Sequence, residues 1–386
     1  MKPIGECNDN VYFHALSTCF TVTREAHIKL LKEFGSAKAF YEAPAAWLKE
    51  YLQPREIRLL EELREKTDVG VFYGELERKG IRHVGYGQKG YPEKLLEIPG
   101  APLSLYYIGD LPAPEEPAVS IIGARVCSSY GKHTAELFAE RLAANGVSVI
   151  SGMAMGIDGI AQSAAVRVGG KSYGVLGCGV DVIYPQSNRR LYDALIGGSG
   201  GVLSEYPPGT AAQPAYFPPR NRIISALSDI LLVVEAREKS GTMITVDMAL
   251  EQGREIYAIP GRIVDELSAG CHRLIRQGAG LASSPADLLE ELSKKRPLPA
   301  VDTGESKNSF GDASSVKAPV PPGLTPEEKI LWSYLSEDPK ETEEIFAEMA
   351  KMGDHPMEIR ELMVHLMGLY ARGFLTREEG GFRKKT

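Results

Sequence analysis

From Ala118 onward the chain alternates short apolar runs with amphipathic segments, and this rhythm constrains its fold more than any other feature. The runs are AVSIIG, VSVISG, SYGVLGCG, GVLSE, DILLVVEA and EIYAIPG. Between them lie segments such as GKHTAELFAERLAANG, whose apolar residues recur at helical spacing. Near-continuous apolar strands alternating with helices are buried on both faces. They predict a parallel sheet wound with helices on both sides. The pattern ends near DLLEELSKK.

The flanking segments read differently. REAHIKLLKEF and PREIRLLEELREK place apolar residues at helical spacing with charges between them, which predicts a helical domain over residues 1–80. The bridge GYPEKLLEIPGAPLSLYYIGDL, loop plus strand in character, leads into the sheet domain over residues 81–293. Residues 294–323 are rich in Pro, Ser, Gly, Lys and Asp and read as a flexible linker. TPEEKILWSYL, ETEEIFAEMAKM and HPMEIRELMVHLMGLYARG predict three helices. Two extended pieces around Gly380-Gly381 complete the outline of a winged helix over residues 324–386. The fold class is α/β: a Rossmann-like parallel sheet with an N-terminal helical domain and a C-terminal winged-helix-like domain.

Bulk properties narrow the function. A net charge of -7 argues against a uniformly basic surface but leaves room for a local basic patch. Five cysteines, an odd number with no CxxC pair, disfavour a disulfide framework or a zinc site. The expectation is a cytoplasmic protein with no metal and no cofactor. The N-terminus MKPIGECNDN lacks the apolar core of a signal peptide. No apolar run approaches the ~20 residues of a membrane span.

Ligands of an open parallel sheet bind beyond the carboxyl ends of its strands. Glycines cluster there: Gly123, Gly152, Gly156, Gly177, Gly179, Gly241 and Gly261. Glycine lets backbone N–H groups approach a phosphate, and the next helix N-terminus adds partial positive charge. The first turn, IIGARVCSSYGK, is like that of a dinucleotide site but lacks GxGxxG, with Arg125 in place of the second glycine. A long cation there crowds a buried pyrophosphate. It suits clamping a phosphate from above or stacking on a base. Ser128 or Ser129 is placed to cap the following helix.

In PAYFPPRNRIISALSD, Arg220 and Arg222 flank Asn221 near a helix start, with Tyr216 and Phe217 beside them. Two arginines oppose the helix dipole there, and an anionic ligand would relieve the conflict. Aromatic rings beside cations suit unpaired bases on a phosphate chain. The competing reading has Phe217 plugging the core and the arginines pairing with Glu205 or Asp229. In EAREKSGTMIT, Ser240, Gly241 and Thr242 offer N–H and hydroxyl donors to phosphate or else form an ordinary cap. Asp158 reads as an N-cap or an arginine partner. Glu205 and Glu235 end strands on the same rim, but no nucleophile, metal cluster or triad accompanies them, so no enzyme is expected. His272 shares a helix with Leu274 and Ile275, which suggests a surface or interface role.

Taken in order, GARVCSSYG, SGMAMGIDGIA, GCGVDVIYP, LSEYPPG, FPPRNRIISALS, VVEAREKSGTMIT, AIPG and GCHRLIRQGA resemble the DNA-processing protein A family, also called Smf. The likeness covers roughly residues 118–283. Looser likenesses tie the N-terminal helices to the family's sterile-alpha-motif-like or helix-hairpin-helix-like domain and the C-terminal module to its winged helix. The resemblance implies an extended Rossmann domain that binds single-stranded DNA in a basic pocket. It implies a homodimer and a mediator that protects incoming DNA during natural transformation. Such a mediator loads RecA past single-strand-binding protein, and no catalytic reaction is implied. Pocket roles carry over onto Gly123, Arg125, Ser128, Phe217, Arg220, Asn221 and Arg222, and onto Ser240, Gly241 and Thr242. The dimer surface falls on the segment of His272, Leu274 and Ile275. Three positions depart from the family: Ala124 for a common Ser, Gln162 for a usual His, and Cys271 for a common Asn.

The main rival is a nucleotide-binding or nucleotide-hydrolysing Rossmann protein of the lysine-decarboxylase-like group. There the glycine-threonine turn is followed at once by glutamates that act on the ribosyl bond. Here Gly241-Thr242 is followed by Met243, Ile244 and Thr245, with no carboxylate, which counts against hydrolysis. A small-nucleotide sensor would instead prefer a mononucleotide over an oligonucleotide.

Overall fold

The computed structural model describes residues 9–20, 25–295, 321, 323–335, 340–352, 358–378 and 381–384. The amphipathic N-terminal segments form helices α1 (Asn10–Cys19), α2 (Glu25–Phe34), α3 (Ala37–Glu42), α4 (Ala45–Leu48), α5 (Pro54–Lys66) and α6 (Val69–Arg78). Their apolar stripes converge on Phe13, Leu16, Leu30, Leu31, Phe40, Leu48 and Leu60, all fully buried. Two strands follow, β1 (Arg82–Gly85) and β2 (Ser104–Gly109).

The alternating region then supplies β3 (Ala118–Ile122), α7 (Ser129–Ala144), β4 (Ser148–Ser151), α8 (Ile157–Arg167), β5 (Ser172–Val175), α9 (Arg189–Ala194), β6 (Gly200–Ser204), α10 (Phe217–Leu227), β7 (Ile230–Val233), α11 (Gly241–Glu251), β8 (Glu255–Ala258), α12 (Ala269–Arg276), β9 (Gly280–Leu281) and α13 (Pro285–Lys295). Among the described residues, nine strands form one sheet in the order β1-β2-β6-β5-β4-β3-β7-β8-β9. Strands β1 and β2 pair antiparallel at one edge, and β2 joins β6 antiparallel. From β6 through β9 every neighbour runs parallel. The fold is the expected α/β class with a Rossmann-like sheet.

Strand β3 explains why its run is apolar throughout. Val119 and Ile121 face one layer, with Phe138 and Leu142 of α7 and Leu288 and Leu292 of α13. Ala118 and Ile122 face the other, with Ile223 and Leu227 of α10 and the N-terminal helices. Side chains alternate faces along a strand, so a strand covered on both sides has no polar face to show. Each such buried aliphatic side chain contributes ~1.5–3 kcal/mol. Ser120, on the α10 side, keeps its hydroxyl satisfied by donating to Ile224 O at 2.8 Å.

The chain divides into two units, Met1–Asp302 and Thr303–Thr386. In the second, helices α14 (Pro326–Tyr334), α15 (Thr342–Met352) and α16 (Ile359–Ala371) precede a hairpin of β10 (Leu375–Glu378) and β11 (Gly381–Lys384). Leu331, Ile345, Leu362, Leu366, Leu369, Leu375 and Phe382 form its core. Thr325 and Glu328 close a capping box at the start of α14. Most of the stretch expected as a linker, residues 296–320, lies outside the described residues.

Candidate functional site

The strand order reverses beside β3. The chain moves out through β4, β5 and β6, then returns to place β7 on the other side of β3. Helices diverge at such a switch point and leave a crevice beyond the strand ends. A cleft of 840 Å³ lies there, lined by the β3–α7 turn, the end of β7 and the starts of α10 and α11. Of the residues singled out for the pocket, Gly123, Arg125, Ser128, Phe217, Arg220, Asn221, Ser240, Gly241 and Thr242 line it. Arg222 does not.

Arg125 is exposed on the first turn, with its guanidinium 5.8 Å from the centre of the half-buried Phe217 ring. Arg220 approaches the same ring at 5.9 Å. Tyr184 lies 5.4 Å from it, tilted by 30°. Phe217 sits in a notch: a Cβ on Gly177 would fall 2.8 Å from its ring. Phe217 is therefore a platform at the cleft wall with two cations beside it, not a core plug.

Arg220 is only 5% exposed. It donates to Gly152 O at 2.9 Å and to Val175 O, the backbone beyond β4 and the end of β5. Carbonyls at strand ends lack ladder partners, and a guanidinium has donors enough for several. Gly152 has no Cβ because one would fall 2.7 Å from that guanidinium. Burial lowers the Arg220 pKa to about 10 while Asp158 opposes the shift, so Arg220 stays cationic at neutral pH. Asp158 is itself raised, chiefly by burial and against the pull of Arg220, and accepts from Gly152 N at 3.1 Å. Asp158 thus bonds the backbone after β4 and lies in the field of Arg220, without an ion pair to it within 4 Å among the described residues.

Arg222 corrects the sequence expectation. It is 8% exposed and pairs with Glu205, donating also to Gly100 O at 2.8 Å and Pro219 O at 2.7 Å. The conflict with the helix dipole is relieved inside the protein, by a buried carboxylate. Ser128 lines the cleft, but its hydroxyl is already used. It caps α7 by accepting from Gly131 N at 3.0 Å and donates to Glu235. Gly123 is glycine for packing, since a Cβ would fall 2.7 Å from Ile157 Cγ1. At α11, Thr242 donates to Gly123 O at 3.3 Å. Ser240 heads the helix without a side-chain cap bond, its Oγ buried and unbonded among the described residues.

Arg237, exposed beyond β7 and not singled out from the sequence, also lines the cleft, as does Thr245, one turn into α11. Arg237 lies 3.6 Å from Glu266. The signal for it was its place two residues after the strand-ending Glu235. Among the described residues no cluster of three or more His, Cys, Asp or Glu side chains could hold a metal. No helix among them is long and apolar enough to cross a membrane.

The dimer segment needs correction too. Leu274 is 3% exposed and belongs to the chain's own core, against which Ile275 packs. His272 is bonded to Gly261 O at 2.9 Å. The exposed apolar residues of that neighbourhood are Ile263 and Val264, 92% and 82% exposed. Two of the departures from the family are absorbed by packing. Gln162 is fully buried, accepting from Met153 N and donating to Tyr173 O. Cys271 is likewise buried, its thiol pointing at the Val233 and Val234 carbonyls.

Comparison with known proteins agrees with this architecture. A DNA processing protein DprA of Streptococcus pneumoniae is 46% identical over 201 residues, 52% of this chain and 71% of that protein. A protein Smf of Synechocystis is 32% identical over 333 residues, 80% of this chain and 81% of that one. The X-ray structure of DNA processing protein A from S. pneumoniae superposes with a TM-score of 0.65 at 36% identity, covering 73% of this chain and 97% of that one. The family model of DNA recombination-mediator protein A matches residues 82–293. With that match spanning the whole sheet and its cleft, the chain belongs to the DNA recombination-mediator protein A family.

Proposed function

We propose that this chain binds single-stranded DNA in the switch-point cleft and acts in recombination as a non-catalytic mediator. One observation carries the reading: an exposed cation, Arg125, stands over a half-buried aromatic platform, Phe217, beside the uncapped start of α11. A flexible strand can lay an unpaired base on such a ring and a phosphodiester against the guanidinium and the helix N-terminus. A duplex keeps its bases stacked inside and cannot use the platform. Family membership supports a role in DNA processing and recombination.

The finer role follows from the family resemblance: protection of incoming strands during natural transformation in the cytoplasm, and loading of RecA on DNA coated with single-strand-binding protein. Homodimerisation belongs to the same proposal, with the contact moved onto the surface around His272 that exposes Ile263 and Val264. The C-terminal unit, read as a winged helix, serves protein contact rather than groove reading, because α15 carries Glu343, Glu344 and Glu348.

The test is a gel-shift comparison of single-stranded DNA, duplex of the same sequence, and mononucleotide as competitor. Single-strand preference, with little competition by mononucleotide, supports the reading. Equal binding of duplex, or displacement by mononucleotide at similar concentration, refutes it. Faster RecA assembly on a strand coated with single-strand-binding protein tests the loading role, and sedimentation at micromolar concentration tests the dimer.

A further inference from the structure

Two of the helix N-termini at the cleft, those of α7 and α11, are finished differently. At α11 a Cβ added to Gly241 would meet open space, and no side chain caps the helix. At α7, which follows the first turn of the sheet, the end is closed by Glu235. The Ser128 N–H donates to Glu235 Oε2 at 2.9 Å, and the Ser128 hydroxyl donates to Glu235 Oε1. That hydroxyl in turn accepts from Gly131 N at 3.0 Å. Gly131 makes the room: a Cβ there would fall 2.2 Å from Glu235 Oε2. Glu235 is 3% exposed just beyond the end of β7, and among the described residues no lysine or arginine forms an ion pair with it. The positive charge it faces is the N-terminus of α7.

In a dinucleotide-binding sheet that helix end receives the pyrophosphate. Here the protein's own carboxylate lies at that end, held by the N–H and hydroxyl of the N-cap residue Ser128. We propose that Glu235 is a built-in anion that bars a free nucleotide's phosphate from α7 and so makes the cleft selective for the internal phosphodiesters of a polynucleotide. This rests on the reading of the cleft as a single-strand site.

The chemistry separates the two ligands. A monoester phosphate carries close to two negative charges at neutral pH and needs several convergent donors. With the Ser128 donors already taken, it loses them and meets a like charge. A diester carries one charge, is satisfied by Arg125 and the α11 end, and gains from bases stacked on Phe217. Glu235 thus discriminates by repelling the wrong ligand.

The experiment measures binding of thymidine monophosphate and of an oligothymidylate to the full chain and to its Glu235→Ala variant, with melting curves to show that the variant is folded. Alanine vacates the helix end and removes the charge. The variant should bind the mononucleotide about tenfold or more tighter than the native chain does, while oligonucleotide affinity changes by less than about threefold. A folded variant without that gain, beside a native chain that binds oligonucleotide, overturns the role of Glu235 and leaves the cleft reading intact. A native chain that does not bind oligonucleotide overturns the cleft reading itself. A second measurement needs no variant: crystals of the native protein soaked in inorganic phosphate. Phosphate beside Arg125 and α11 with none at Ser128 supports the proposal, and phosphate bound against Ser128 overturns it.

Discussion

Replacing Arg222 with alanine separates a folding role from a binding role within one short motif. Its guanidinium reaches the Glu205 carboxylate and the Gly100 and Pro219 carbonyls, all away from the cleft. Truncation takes the Arg222 guanidinium from Glu205, 7% exposed, and leaves two carbonyls without that donor. Removing one partner of a buried ion pair costs ~3–5 kcal/mol. At roughly 2–4 °C per kcal/mol for a domain of 150–250 residues, the melting midpoint should fall by about 10 °C. Replacing both partners, as in Glu205→Leu with Arg222→Met, should restore part of that loss because neither charge of the pair is then buried without the other. Differential scanning calorimetry gives the midpoints, and anisotropy of a labelled oligothymidylate, taken well below them, gives the affinity. The reasoning predicts a destabilised variant that still binds when folded. A variant of native stability that has lost affinity, with a shallower salt dependence, would make Arg222 a phosphate contact and refute the account.

Phe217→Leu keeps apolar bulk in the Gly177 notch but removes the ring face, and should weaken single-strand binding by ~1–3 kcal/mol in the same assay, the worth of one stacked base. Acid should destabilise the first unit. Burial lowers the His14 pKa from 6.5 to about 4, so the unfolded chain takes up a proton that the folded chain refuses. The stability due to neutral His14 is complete above pH 6.5 and falls by about 3 kcal/mol as the pH drops toward 4. His14→Phe, stacked on Phe72 as the imidazole is at 4.3 Å, should flatten that slope in urea melts, and an unchanged slope would count against the assignment. Deleting the unit from residue 303 onward should leave cleft binding within a few-fold, because every lining residue belongs to the first unit.

The sheet was legible because its strands are covered on both faces, so each is an unbroken apolar run that no solvent-exposed strand would show. The cleft was legible because a reversal of strand order puts ligand residues after strand ends, where Arg125 and Ser240 stand. The reasons behind individual residues were less legible, since they depend on contacts distant in sequence. Gly152 and Gly177 look like strand terminators, yet they clear space for Arg220 and Phe217, dozens of residues later. The failure at Arg222 was avoidable. Residues two apart on a helix point about 200° apart, so Arg220 and Arg222 cannot both face one cleft. Leu274 failed for a similar reason, because the amphipathic α12 turns that position toward the core. Glu235 gave no warning: a carboxylate after an apolar strand carries no mark that it will cap a helix whose N-cap, Ser128, lies 107 residues earlier.

The central claim is that Arg125 meets the phosphate of a single strand in this cleft. Anisotropy titrations of a labelled oligothymidylate against salt, for the native chain and Arg125→Ala, test it most directly. Loss of one phosphate contact should lower affinity and reduce the slope of log K against log salt by about 0.7. An Arg125→Ala variant with native affinity and native slope would place the strand elsewhere on the protein.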